Sequence, residues 1–195
     1  MPEQQSHPEV RGAVARLCAE YPNEYWREKD RDKAYPTEFV QALTDAGYLS
    51  VLIPEAYQGA GMDLAAACAV LEEIQRSGAN GAACHAQMYI MGTLLRHGSD
   101  AQKQKYLPDI ASGALRLQAF GVTEPSSGTD TTRIKTRAHL DGDHYVVSGQ
   151  KVFISRVEHS DLLLLLVRTT AREEVDKPTQ GMSVLLVDLR EAVGN

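Results

Sequence analysis

The spacing of apolar residues changes character near residue 115. Upstream, Val14, Leu17 and Tyr21 recur at helical intervals. Phe39, Leu43 and Ala46 do so again, and Gly47 is placed to stop that second helix. Asp63 is placed to cap a third, with Leu64, Cys68, Leu71 and Ile74 on one face. A fourth runs through Met88, Met91 and Leu95 to Gly98. Ser99-Asp-Ala-Gln102 reads as the capping box of a fifth, which ends near Ser112 and Gly113.

Downstream the pattern is that of strands. They are expected from Leu117 to Thr123, Arg133 to Leu140, His144 to Ser148, Lys151 to Ser155, Leu162 to Val167 and Met182 to Val187. Asp141-Gly142 supplies the turn of a hairpin between the second and third. The run from Leu162 to Val167 is apolar throughout, as expected of a strand buried on both faces. The stretch from Glu173 to Gln180 is polar, contains Pro178, and reads as an exposed loop.

Helices followed by strands, without alternation, predict a segregated α+β fold rather than a doubly wound one. The expected domains are an all-α helical bundle over residues 1–115 and an antiparallel β-barrel or sandwich over residues 116–195. Few residues follow the last strand, so that second domain is expected to be incomplete.

Composition narrows the function classes. A hydrophobic content of 43% supports a packed core, and a net charge of −6 argues against a nucleic-acid or anionic-membrane surface. No apolar run approaches the roughly 18 residues of a membrane span. The N-terminal stretch from Met1 to His7 lacks the basic and apolar regions of a signal peptide. Cys18, Cys68 and Cys84 show no ligand spacing and lie among apolar residues, so all three read as small core residues. An odd cysteine count without targeting fits a reducing cytoplasm.

Several chemistries have no sequence support. Gly59-Ala-Gly61 lacks the third glycine and the flanking strand and helix of a dinucleotide loop. There is no GxSxG elbow, HExxH pair or P-loop, and the six histidines are scattered.

The informative stretch is Phe120-Gly-Val-Thr-Glu-Pro-Ser-Ser-Gly-Thr-Asp130. A β-rich run breaks at a proline that forces Glu124 into extended backbone. Gly128 lets bare backbone approach a ligand and Thr129 adds a hydroxyl. Taken alone, the segment is equally an ordinary connection between strands.

Its context is more specific. VTEPSSGTDTTRIKTRAHLDGDHYVVSGQKVFIS, ending at Ser155, carries in order a TEP-x-x-G-[ST]-D loop, an IKT segment and a G-x-K-x-[WF]-I-[ST] segment. This arrangement resembles the acyl-CoA dehydrogenase family. So do Ile53-Pro-Glu-Ala-Tyr-Gln-Gly-Ala-Gly-Met-Asp63 and Leu71-Glu-Glu-Ile74, and the similarity extends from about residue 30 onward.

The resemblance implies an FAD-dependent oxidoreductase of fatty acid β-oxidation type, which converts an acyl-CoA thioester to the trans-2-enoyl-CoA. It implies that Phe120, Val122 and Thr123 line the flavin ring and that Gly128 and Thr129 approach the FAD pyrophosphate. Phe153 would cover the flavin where Trp is usual, with Ser155 where Thr is common. Gln87, Met88 and Thr129 would border the acyl-CoA substrate; core packing is an equal reading for Met88. Glu124 would be structural, paired with a basic neighbour.

The alternating Arg133, Lys135 and Arg137 would attract FAD or CoA phosphates or form a solvated outer face. In the family the catalytic base, a glutamate, lies in a C-terminal helical domain, so no residue here is assigned that role. The family's partners are electron-transferring flavoprotein and further copies in a tetramer. The expected alternatives are half of a split enzyme with a C-terminal partner chain, a non-catalytic partner-binding module, and a flavin oxidase or monooxygenase of the same fold.

Overall fold

A computed structural model describes residues 6–190. The first five residues, which begin the stretch read against a signal peptide, and the last five lie outside the described residues. The chain divides into two compact units, residues 1–116 and residues 117–195.

The first unit is helical: α1 (Pro8–Ala19), α2 (Asn23–Arg31), α3 (Thr37–Asp45), α4 (Leu64–Arg76), α5 (Ala82–His97) and α6 (Asp100–Ser112). Its core gathers Val14, Phe39, Leu43, Val70, Ile74 and Cys84, all essentially excluded from solvent. Burying a side chain the size of Phe39 stabilises the fold by roughly 2–3 kcal/mol.

The expected end signals operate. Gly47 turns left-handed after α3, at φ 77°. The Asp63 carboxylate accepts from the Ala66 amide at 2.8 Å. Ser99 and Gln102 form a reciprocal capping box. Gly59 packs so tightly that a Cβ there would lie 2.1 Å from the Ile53 carbonyl oxygen, which gives this glycine a packing role.

Two expectations about the helical unit are corrected. Among the described residues it contains six α-helices, and the extra one is α2, of sequence NEYWREKDR with no fully buried residue. Its aromatic side holds it in place. Trp26 packs edge-on against Phe39 at 4.9 Å between centroids, and its Nε1–H donates to the Tyr21 carbonyl at 3.1 Å. The buried face of α4 also differs: Ala66, Ala67, Ala69, Val70 and Ile74 point inward, whereas Leu64 and Cys68 are exposed. The small alanines let α1 pack closely, and Arg11 of α1 spans to Glu72 at 2.6 Å and Glu73 at 3.0 Å. Cys68 is therefore a surface thiol, while Cys18 and Cys84 are buried.

The second unit is built on β1 (Leu117–Gly121), β2 (Arg137–Asp141), β3 (His144–Ser148), β4 (Leu162–Arg168) and β5 (Met182–Asp188). They form one mixed five-stranded sheet, which corrects the expected antiparallel arrangement. β1 runs parallel to β4, with Phe120 opposite Leu164 and Gly121 opposite Leu165. β4 pairs antiparallel with β5 along its whole length. β2 joins β4 in parallel at Arg168, beyond the last residue that β1 pairs. The β2–β3 hairpin forms as expected.

The parallel pairing is possible because everything from residue 122 to residue 161 serves as the crossover, and a parallel pair needs a connection of a dozen residues or more. β4 is central, which explains its apolar run, although only Leu162, Leu164, Val167 and Arg168 are fully buried. No strand forms from Lys151 to Ser155, because Phe153 has left-handed backbone at φ 59° and breaks any ladder.

Candidate functional site

β1 carries the chain outward through Phe120 to Val122 and Thr123, all three half-buried. Beyond them the chain folds back on itself. Glu124 and Ser127 exchange main-chain hydrogen bonds of 2.8 Å and 3.1 Å, with Pro125 and Ser126 at the tip. The Ser127 hydroxyl donates to the Asp130 carbonyl at 2.6 Å, and the Asp130 carboxylate accepts from the Thr132 amide at 3.1 Å. Gly128 and Thr129 are left exposed between these two closures. Among the described residues their amides make no hydrogen bond. A Cβ on Gly128 would meet nothing within 4 Å. Two free, adjacent N–H groups on an open loop suit an anion.

Glu124 sits beneath this loop with its side chain 3% exposed. Its Oε2 accepts from the Lys135 amide at 2.6 Å and its Oε1 from the Thr136 amide at 2.8 Å. The Lys151 ammonium adds a third donor to Oε1 at 2.9 Å. Burial pushes the Glu124 pKa up, but the two amides and Lys151 outweigh it and hold it at about 2. A carboxylate so fully engaged is a poor proton acceptor, consistent with a structural role. Lys151 also donates to the Val122 carbonyl at 3.0 Å. One buried cation thus fixes both the backbone and the acid of the Val122-Thr123-Glu124 segment.

Val152 follows immediately, and its amide donates to the Thr123 carbonyl at 2.9 Å. The structure therefore brings Val122 and Thr123 beside residues 151–153. Phe153 is 91% exposed, and Ser155 is exposed two residues further on. A bulky residue held in left-handed backbone with its ring in solvent is costly in a bare chain, and such strain gathers at ligand-binding positions. Half-buried Val122 and Thr123, an unused aromatic face and a loop with free amides fit a flat aromatic ring joined to a phosphate. These residues are compatible with a flavin nucleotide.

Gln87 and Met88 belong to the helical unit. They lie on α5, where both are buried, and Met88 is part of that unit's core. Residues 133–138 alternate as the sequence suggests, with Arg133, Lys135 and Arg137 exposed and Ile134, Thr136 and Ala138 buried. Only Arg137 and Ala138 of these belong to a strand.

Sequence reasoning expected a basic neighbour for Glu124 but did not identify it as Lys151, nor foresee its bond to the Val122 carbonyl. Its signal was present in the G-x-K motif, but the two acceptors it joins are distant in sequence. It also missed Arg168, a 6% exposed guanidinium at the end of an apolar strand. Arg168 donates to the carbonyls of Thr132, Pro178 and Gln180, which ties the loop after β4 to the segment after Asp130.

Residues 4–114 match the family model described as acyl-CoA dehydrogenase, N-terminal domain, and residues 119–194 the one described as acyl-CoA dehydrogenase, middle domain. The acyl-CoA dehydrogenase FadE12 of Mycobacterium tuberculosis is 34% identical over 168 residues, which cover 86% of this chain and 43% of that protein. The solved structure of glutaryl-coenzyme A dehydrogenase in its glutaryl-CoA complex superposes with a TM-score of 0.85 at 28% identity, covering 98% of this chain and 49% of that one. The ChsE4–ChsE5 complex of Mycobacterium tuberculosis superposes with a TM-score of 0.79 at 29% identity, covering 97% of this chain and 48% of that one. The chain spans about half the length of the relatives it matches or less.

Proposed function

The chain belongs to the acyl-CoA dehydrogenase family, and on that premise we propose that it forms the flavin-facing part of an FAD-dependent acyl-CoA dehydrogenase. The observation that carries this reading is the Lys151 bridge, which holds Val122 and Glu124 so that Thr123 stands beside Val152 and Phe153.

Each residue has a physical task in this reading. Val122 and Phe120 offer an apolar platform, and Thr123 offers a hydroxyl to the polar edge of the ring. The free amides of Gly128 and Thr129 bind pyrophosphate oxygens, and the Thr129 hydroxyl reaches the nucleotide or the acyl-CoA. Phe153 closes over the ring and keeps water from it, with Ser155 as a neighbouring donor. Gln87 and Met88 border the acyl chain. When bound, FAD supplies the two-electron acceptor for the β-hydrogen of the thioester. Glu124 and Lys151 remain an ion pair and position the segment without exchanging protons.

The α-proton must go to a base, and the family pattern assigns that base to a C-terminal helical domain. We infer that this domain comes from a longer form of the chain or from a partner chain. The likeness to a complex of two named chains supports the second source. Electron-transferring flavoprotein is the proposed acceptor, and a tetramer the proposed assembly of the complete enzyme. Among the described residues no helix is long and apolar enough to cross a membrane, which is consistent with a cytoplasmic β-oxidation enzyme.

Titration of the chain with FAD, read by flavin fluorescence and visible absorbance, tests the proposal. The expected result is weak binding that Phe153→Ala weakens further, and no flavin reduction by acyl-CoA until a C-terminal helical partner is supplied. Tight retention of yellow cofactor together with reduction by acyl-CoA in the chain alone would overturn the inferred division of the site. Absence of any FAD binding, with or without such a partner, would overturn the flavin reading itself.

A further inference from the structure

Phe153 is not the only residue of its segment in left-handed backbone. Arg156, three positions on, has it too, at φ 61°. We propose that Arg156 is a further flavin-binding residue, whose guanidinium stands against the carbonyl-bearing edge of the ring and stabilises negative charge there. The inference rests on the flavin reading above, and adds to it a residue just beyond the family-like motif, which ends at Ser155.

The side chain is the first argument. Arg156 is half-buried, and its Nε–H is sealed from solvent without an acceptor. Its guanidinium makes no hydrogen bond or ion pair among the described residues. Arg168, in the same unit, spends its donors on three main-chain carbonyls, and Lys151 is neutralised by Glu124. A guanidinium stays charged in a protein, and a buried donor without an acceptor costs free energy that a ligand can recover.

Two ties place the residue. At one end of the segment the Val152 amide donates to the Thr123 carbonyl at 2.9 Å. At the other the Ser160 hydroxyl donates to the Arg156 carbonyl at 3.0 Å and accepts from the Gln118 amide of β1 at 3.2 Å. Residues 153–159 therefore run beside residues 119–122, the stretch that carries Phe120 and Val122. Arg156 stands midway between the ties, on the same turn of chain as Phe153 and Ser155. Left-handed backbone under a long side chain persists only where the surroundings fix it. Here the Ser160 hydroxyl and the His159 amide, which donates to the same Arg156 carbonyl at 3.0 Å, do so.

The position selects the ring over the phosphates. The amides proposed for pyrophosphate, at Gly128 and Thr129, lie beyond the turn that Glu124 and Ser127 close. The carbonyl-bearing edge of a flavin ring gains negative charge when the ring is reduced. A cation beside it favours that form and raises the reduction potential.

The test uses the full 195-residue chain and riboflavin, which has the ring without the phosphates. With protein in excess, so that the flavin is bound, its midpoint potential is read at neutral pH against a reference dye. Arg156→Met should lower the potential by about 30 mV, a roughly tenfold change in a two-electron equilibrium. Arg156→Lys should keep the wild-type potential. Both variants retain a long side chain in left-handed backbone, so the difference between them reports the charge and not the fold. Arg156→Gln, polar but neutral, should behave as Arg156→Met does, and stands in for it if that variant does not fold.

A potential unchanged in both neutral variants would overturn the assignment and leave the flavin reading intact. Loss of affinity for FAD and FMN without loss for riboflavin would give the guanidinium to the phosphates and overturn it as well. No flavin bound by the wild-type chain, with or without a C-terminal helical partner, would overturn the flavin reading and this inference with it.

Discussion

The amide of Val152 donates to the carbonyl of Thr123 at 2.9 Å, so the residue preceding Phe153 is bonded directly to the segment carrying Val122 and Thr123. Residues separated by almost thirty positions are thereby fixed as one surface. The ion pair beneath them makes that surface rigid.

Removing one partner of that pair tests its weight. Lys151→Met leaves Glu124 as an uncompensated buried charge, and such losses cost about 3–5 kcal/mol. The remaining amide donors to Glu124 place the expected cost near the lower end, about 3 kcal/mol. Glu124→Gln with Lys151→Met should recover part of it. Urea unfolding of the three chains checks this, and additive losses in the double variant would show that the two side chains do not act together.

The pH dependence has a defined sign. Glu124 is held below its ordinary value near 4.5, at about 2. Its folded pKa is depressed, so its contribution is complete above about pH 4.5 and is lost as pH falls toward 2. Acid titration of the sheet unit, followed by near-ultraviolet circular dichroism, should show loss of tertiary signal in that window. Glu124→Gln should flatten the profile there.

Phe153 separates folding from ligand binding. Relief of left-handed backbone, ~1–2 kcal/mol, is largely offset by the greater freedom of glycine in the unfolded chain, ~0.5–1 kcal/mol. Phe153→Gly should therefore leave stability within about 1 kcal/mol. It should weaken FAD binding at least tenfold, because the ring that covers the flavin is gone. Unchanged affinity would make Phe153 a mere loop residue.

The cysteines should divide by reactivity. Burial raises the Cys18 thiol and pushes Cys84 up to about 12, while Cys68 is exposed on α4. Brief treatment with a water-soluble thiol reagent should add a single label, at Cys68. The other two should react only after unfolding, and intact-mass measurement reads the count directly.

What the sequence revealed followed from local chemistry. The Asp63 cap, the Ser99–Gln102 box and the Gly47 stop each act within a few residues, and all three were legible. The alternation of Arg133, Lys135 and Arg137 was legible for the same reason. What escaped depended on distant neighbours. α2 is polar along most of its length, and contacts with Tyr21, Glu38 and Phe39, distant in sequence or outside the helix, explain it. Leu64, Cys68 and Ile74 recur at helix-like spacing, but only Ile74 turns inward with Ala66, Ala67, Ala69 and Val70, while Leu64 and Cys68 face outward. The parallel partner of β1 could not be read from β1, since a five-residue apolar run does not encode the direction of its neighbour. In the site itself the family-like motif located the loop, but not the lysine that holds it.

The skipped-over pairing of β1 with β4 sets an order of events during synthesis. All residues of the helical unit are made before Leu117. β1 then waits without its partner until Leu162 to Leu165 have been added. In that interval Leu117, Ala119 and the apolar segment around Val122 have no ladder to join. Distant pairings of this kind fold slowly and leave strand edges open to other chains. The growth of residues 122–161 is therefore the interval in which β1 stands without its parallel neighbour.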